Sequence, residues 1–456
     1  MEIFRRWEAI ERRLPAWFER GAARVPKAAV ALGGVLLVAG FAAQLALLAY
    51  QAGHDGVRPG WFSTLPYALV DDAAPFGGAH PQISFAALAF VLVQSLGLTA
   101  VVAAFVPERS RADRDAAWAL VLCAAGALGA FALFAPAIGS SDMFGYVGLG
   151  LLGAHPFERP AHFFTGEYAR FFASYPLRPT VYGPLWIGLN AALVSLGGTF
   201  AAKLFVLRAF GATQLLALAA LVWSLARSRA LTAAVLLNPM LWLQFVVNAH
   251  NDLMAVTLVA GGVALVARRH TGWAIAAIAA AGLVKLPFLL LGVVAFGREG
   301  RRRALLSAGS AVAVCVAISA VFGGKPYLDA LLTTTAQRGI DMDPVLQASK
   351  IVMALTPVFV TAYVLLKGRY PAFGGWLYPA LAPILFPWYL VWAVPYALAA
   401  RAGALLTLLA LPLVATLVDT IYDLRAVALA LFALGMAGLL AAVARQAPEA
   451  LEPASG

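Results

Sequence analysis

The chain has 456 residues, 62% apolar and only 12% charged. Soluble domains run near 25% charged, so a soluble fold and a disordered chain are both excluded, and a mean hydropathy of +0.83 points to an all-α polytopic membrane protein. Continuous rather than alternating apolar runs exclude a β-barrel. The net charge of +11 reads as a topology signal, with no nucleic-acid partner expected.

Segment 1–26 carries Arg5, Arg6, Arg12, Arg13, Arg20 and Arg24, so the N-terminus is expected in the cytoplasm. Phe4, Trp7, Leu14, Trp17 and Phe18 recur at roughly helical spacing opposite them, as in an amphipathic helix on the inner leaflet. A solvated basic tail is the plainer reading, and Pro15 works against the helix. The apolar run from Lys27 lacks a small-residue cleavage site and reads as a span rather than a signal peptide. Full spans are predicted at 27–50, 82–106, 117–138, 203–225, 231–248, 253–267, 303–322, 349–367, 402–418 and 426–444. Three further apolar stretches fit poorly as spans. Segment 184–200 is short and ends in Gly-Gly-Thr. Segment 272–296 is broken at Lys285-Leu286-Pro287, and 376–400 at Pro379, Pro383 and Pro387. Such interruptions mark broken or re-entrant helices that line a cavity.

Charge parity agrees. Arg268 and Arg269 precede 272–296, and Arg298, Arg301, Arg302 and Arg303 follow it, so both ends want the cytoplasm. With all three stretches non-crossing, ten spans place both termini inside. The cytoplasmic segments, with the charges at span ends, then hold 22 Lys and Arg against 10 Asp and Glu. The expected architecture has about 10–13 transmembrane or re-entrant helices in one membrane domain, 27–445. Outer segments fall at 51–81, 139–183 and 323–348, and 446–456 is a cytoplasmic tail. Cys123 and Cys315 lie in apolar runs and form no CxxC pair.

Chemistry is expected at the outer boundary. Ser140-Ser141-Asp142 follows a span, and a serine can cap the helix that begins there, with Asp142 in its first turn. Capping alone is the plainer role for Asp142. Tyr146 lies one turn on, on the same face. Then come the turn Ala154-His155-Pro156-Phe157 and, opening the next helix, Tyr182-Gly183-Pro184. The run Asn248-Ala249-His250-Asn251-Asp252 places four polar groups at the end of a tight helical hairpin, richer than a turn requires. Lys285, deep in an apolar stretch, must snorkel, pair with an acid or bind an anion. Lys203 and Arg208 are weaker cases of the same kind. Phe386-Pro387-Trp388-Tyr389 with Trp392 reads as an interfacial aromatic belt or a sugar-stacking surface. Arg338, Asp341 and Asp343 read first as a solvated charge cluster.

The ordered series Ser141-Asp142, Tyr146, Gly150, Pro156, Tyr182-Gly183-Pro184, His250-Asn251-Asp252, Lys285 and Pro387-Trp388-Tyr389 resembles the polyprenyl-phosphate-mannose-dependent mannosyltransferases of the GT-C superfamily. The nearest resemblance, over about residues 80–445, is to the bacterial alpha-1,6-mannosyltransferases. It implies a GT-C fold in the bacterial plasma membrane and an active site facing outside. It also implies a polyprenyl-phosphate sugar donor, a glycan or glycolipid acceptor, and Asp142 as the catalytic aspartate. Substrate-binding roles are expected for Ser141, Tyr146, His155, Tyr182, Arg208, His250, Asn251, Asp252, Lys285, Arg338, Trp388 and Tyr389. Ala154-His155-Pro156-Phe157 departs from the Gly-x-Asn-Pro-Tyr of many members, which bears on the sugar or acceptor.

The chemistry agrees with that class. A lipid phosphate is already a good leaving group. One carboxylate must take the acceptor proton during an inverting single displacement, and a cation must offset charge on the departing phosphate. Lys285 is the first choice for the cation, followed by Arg208 and Arg338. No cofactor is expected; a divalent ion shared by Asp142 and Asp252 is the alternative. The rival functions are a multi-pass transporter or lipid flippase, suggested by the broken helices and intramembrane lysine, and a non-catalytic subunit of an envelope-assembly complex.

Overall fold

The computed structural model describes residues 25–54, 81–105, 110–135, 142–152, 157, 180–340, 344–371, 374–382, 386–401 and 403–421. The N-terminal amphipathic segment, most of 51–81 and of 139–183, the span 426–444 and the tail lie outside them. So do Ser140, Ser141, His155, Asp341 and Asp343. Among the described residues every regular element is a helix, as an all-α polytopic membrane protein requires.

Helices α1 (Lys27–His54) and α2 (Pro81–Val102) run antiparallel, joined by a buried hydrogen bond from Gln94 Nε2 to Gln44 Oε1 of 3.0 Å. Next come α3 (Arg111–Phe134), α4 (Asp142–Leu151), α5 (Pro184–Ser195) and α6 (Phe200–Ala226). Helix α3 is capped by the Ser110 hydroxyl and α6 by that of Thr199. Helices α1, α3 and α6 are long and apolar enough to cross a membrane. At 12 residues, α5 is about 18 Å long, well short of the hydrocarbon thickness.

The apolar stretch predicted as a span over 231–248 is bent in the structure. Helix α7 (Arg229–Leu236) ends at Asn238-Pro239, and α8 (Pro239–Trp242) resumes at an angle of 42°. Proline cannot donate to the preceding turn, and the Asn238 side chain caps the new helix through the N–H groups of Met240 and Leu241. Helix α8 then widens into a π-turn, Leu243–Val247, a geometry that accompanies functional sites in many helices.

Helix α9 (Asp252–Ala267) leads back to Arg268 and Arg269. The segment after it folds as α10 (Thr271–Val284) and α11 (Pro287–Val293), the latter extended by a 3-10 turn over Val294–Arg298. Its two ends meet: Thr271 Oγ1 donates to Glu299 Oε1 at 2.7 Å. The segment is thus a helical hairpin with Lys285 at its turn and both ends together, the shape that charge parity calls for. Helix α12 (Arg301–Phe322) follows and exposes Leu306, Val316 and Val321 along an apolar outer face. The predicted outer segment 323–348 is helical over α13 (Gly324–Ile340), and α14 (Pro344–Lys367) begins before its end.

A second hairpin comprises 3-10 helices Gly374–Leu381 and Pro387–Trp392 and then α15 (Ala393–Ala400); α16 (Ala404–Ile421) follows. It too returns to where it began, since Tyr396 Oη donates to the Pro371 carbonyl at 3.1 Å. Arg298 binds the bases of the two hairpins together, donating to the carbonyls of Ala399 and Ala400 at 3.0 and 2.9 Å. One end of the bundle therefore carries Arg227, Arg268, Arg269, Arg298 and Arg401. The other carries the two hairpin tips and the N-termini of α4 and α9.

Candidate active site

The two acids of this end both open helices. Asp142 is the first residue of α4 and Asp252 the first of α9, where the helix dipole favours a carboxylate. Their surroundings differ. Asp142 Oδ2 lies 3.3 Å from His250 Nδ1; the Asp142 side chain is 27% exposed and that of His250 fully buried. Asp252 is 1% exposed and has three donors to its carboxylate. Lys285 Nζ lies 3.0 and 3.2 Å from its two oxygens, and Trp392 Nε1 donates to Oδ1 at 2.9 Å.

Aromatic rings join these groups. The His250 imidazole stacks on Trp388, centroids 4.0 Å apart, and Trp388 also stacks with Phe386 at 4.4 Å. Lys285 Nζ sits 4.4 Å from the centroid of Tyr389, with Tyr182 and Trp392 at 5.7 and 5.8 Å. Such contacts set the cation against the negative faces of aromatic rings. Asp142, His250, Trp388, Tyr389, Lys285 and Asp252 thus form one continuous cluster, assembled from α4, the turn between the π-turn and α9, α9 itself and both hairpins. Trp392 is fully buried within it rather than part of a lipid-facing belt.

A polar layer backs the cluster. Tyr146 Oη donates to Asn251 Oδ1 at 3.2 Å and lies 3.3 Å from Tyr182 Oη; Asn190 Nδ2 donates to the Tyr146 carbonyl at 2.7 Å. Asn190 escapes the sequence reading, although an asparagine inside the apolar run 185–194 is itself a signal. Gly183 N donates to the Val284 carbonyl at 3.0 Å, pinning Tyr182 beside Lys285. A Cβ at 183 would lie 2.1 Å from the Leu283 carbonyl oxygen, so only glycine fits there. Gly150 similarly lets α4 meet α5, where a Cβ would press on Val194.

Lys285 itself is extended, breaking α10, and Pro287 restarts the chain in the first turn of α11. Ala249, just before His250, has φ of +51°, a left-handed conformation unfavourable for a residue with a Cβ.

The other intramembrane cations are placed differently. Arg208 is 3% exposed and donates to the carbonyls of Val247, at 2.9 Å, Leu133, at 3.3 Å, and Ala135. It ties α3 and α6 to the end of the π-turn, whose widened geometry leaves carbonyls in need of donors. Lys203 Nζ donates to the carbonyls of Val194 and Gly197. Arg338 lies on α13, its side chain outside the described residues, as are Ser141 and His155.

Among the described residues no three His, Cys, Asp or Glu side chains group as a metal site would require. No curated protein and no solved structure matches the chain. A family model described as alpha-(1→6)-mannopyranosyltransferase, N-terminal domain, matches residues 37–297. The match spans more than half of the chain and takes in Asp142, His250, Asp252 and Lys285, and the chain belongs to this GT-C family of mannosyltransferases.

Proposed function

We propose that the protein transfers mannose from a polyprenyl-phosphate donor to a hydroxyl of a glycan or glycolipid, with Asp142 as general base. The observation that carries this reading is the difference in access: Asp142 is 27% exposed, while His250 and Asp252 are 0% and 1%. A base must reach the proton it removes. In the reaction the acceptor oxygen attacks the anomeric carbon, and Asp142 takes its proton. The bond from that carbon to the phosphate oxygen breaks, and the polyprenyl phosphate leaves with the electron pair. Inversion to an alpha product calls for a beta-linked donor.

Lys285 is the proposed counter-charge for the departing phosphate. An ammonium has three N–H donors, two of which face Asp252. Asp252 and the Tyr389 ring hold the group in place, so it need not reorganise as charge develops. His250, clamped by Trp388, orients the Asp142 carboxylate. Tyr182 and Tyr389 flank the phosphate side. The reading uses no metal.

The arginine-rich end would face the cytoplasm, which puts the site at the outer face of a bacterial plasma membrane. The decisive experiment uses purified protein in lipid, a polyprenyl-phosphate-mannose donor and a mannoside acceptor. Transfer is expected with the wild type, and Asp142→Asn should lower it by about 10²–10⁴-fold with the fold intact. Normal transfer by that variant would remove Asp142 as the base.

A further inference from the structure

At the arginine-rich end, about two-thirds of a bilayer from Asp252 along α9, the structure contains a cavity of about 880 Å³. It lies between the bases of the two hairpins. Arg269, Arg298, Arg303 and Arg401 surround it, with Glu299 as the one acid. Another part of its lining is aliphatic, from residues of α6, α7 and α9 together with Leu398.

Three features separate this cavity from an ordinary basic loop. None of the four arginines has a carboxylate within 4 Å among the described residues. The charge of Glu299 is held by hydroxyls, Thr271 on Oε1 at 2.7 Å and Ser307 on Oε2 at 3.0 Å, rather than by a guanidinium. Arg269 and Arg401 both adopt left-handed backbone, φ +63° and +57°, which turns the chain sharply beside the cavity. Helices α10 and α12 begin here and α9 and α15 end here, so their dipoles offset one another. Four arginines against one glutamate then set the sign.

We propose that this cavity binds a phosphate-bearing anion, seated among Arg269, Arg303 and Arg401, with the aliphatic wall accepting the chain of a lipid that carries it. Guanidinium forks match phosphate oxygens in geometry, and basic pockets between membrane helices take anionic headgroups. Arg298, already committed to the Ala399 and Ala400 carbonyls, adds charge from the side. The proposal does not depend on the reaction assigned above, since none of these residues belongs to the Asp142 cluster.

The test uses the full chain, delipidated in non-ionic detergent and followed by native mass spectrometry and thermal unfolding. Cardiolipin, phosphatidylglycerol, phosphatidylcholine, inorganic phosphate and pyrophosphate are the probes. Anionic lipids are expected to be retained and to raise the unfolding temperature, with phosphatidylcholine at least tenfold weaker. Arg303→Gln/Arg401→Gln should weaken anionic binding on the order of 30-fold, about fivefold per arginine lost, and Arg303→Lys/Arg401→Lys should retain most of it. Displacement of lipid by phosphate or pyrophosphate would support the anion site and identify a free phosphate as the occupant. Equal binding of phosphatidylcholine and anionic lipid by the wild type would overturn the proposal, a comparison that needs no variant. Unchanged anionic binding in the glutamine variant would overturn it too.

Discussion

Asp142 and Asp252 are the same residue type in the same local position, yet their surroundings differ in exposure and in partners. Asp252 is buried between Lys285 and Trp392, which together give its carboxylate three hydrogen bonds. Asp142 keeps over a quarter of its side chain in the open and leans on a histidine that has none. The difference teaches that what the rest of the chain brings to a helix-opening aspartate decides whether it is sealed or reachable, and on the proposed reading whether it serves as brace or base. For Asp252 the brace comes from two hairpin tips, one supplying a cation and the other an indole N–H.

The widest gap between the two should appear in activity. Asp142→Asn is expected to lower the initial rate of mannose transfer about 10²–10⁴-fold, with thermal unfolding close to wild type. Stability should show the reverse. Asp252→Asn leaves the Lys285 ammonium buried without its carboxylate, and breaking a buried pair costs about 3–5 kcal/mol. Unfolding in detergent measures it, and Asp252→Asn/Lys285→Met should recover much of the loss. A wild-type midpoint for Asp252→Asn alone would break the comparison.

Gly183→Ala acts on the hairpin that carries Lys285. Its new methyl meets the Leu283 carbonyl, and the strain should cost about 1–3 kcal/mol, with transfer falling further than the loss of folded protein explains. The smallest effect belongs to Tyr146→Phe. It removes the hydroxyl shared with Asn251 and Tyr182, a change of about 0.5–1.5 kcal/mol that should sharpen the contrast by leaving both aspartates in place.

Much of this site is legible in the sequence because polar residues in apolar runs are conspicuous. Asp142, His250, Asp252, Lys285, Trp388 and Tyr389 stand out one by one, and the structure gathers all six. Charge parity likewise marks 272–296 as a hairpin before any contact is known. Pairing was not legible: Lys285 reads equally as a snorkelling residue, an anion site or half of an ion pair, and only the fold selects Asp252. Arg208 shows the same limit. A lone buried arginine reads as a phosphate ligand, but the carbonyls of Val247, Leu133 and Ala135 engage it, and they are brought together by a π-turn that periodicity does not reveal. The break at Asn238-Pro239 was visible as a dipeptide signal, hidden under an apolar run long enough for a span.

The backbone of Ala249 carries one more implication. A left-handed alanine costs about 1–2 kcal/mol over glycine, and here the cost falls on the peptide that aims the His250 ring. Ala249→Gly should therefore make the protein harder to unfold and slower to turn over, a trade of precision for robustness. Sequence variation at position 249 would then be a dial on catalytic tempo, set one residue away from any group that touches a proton.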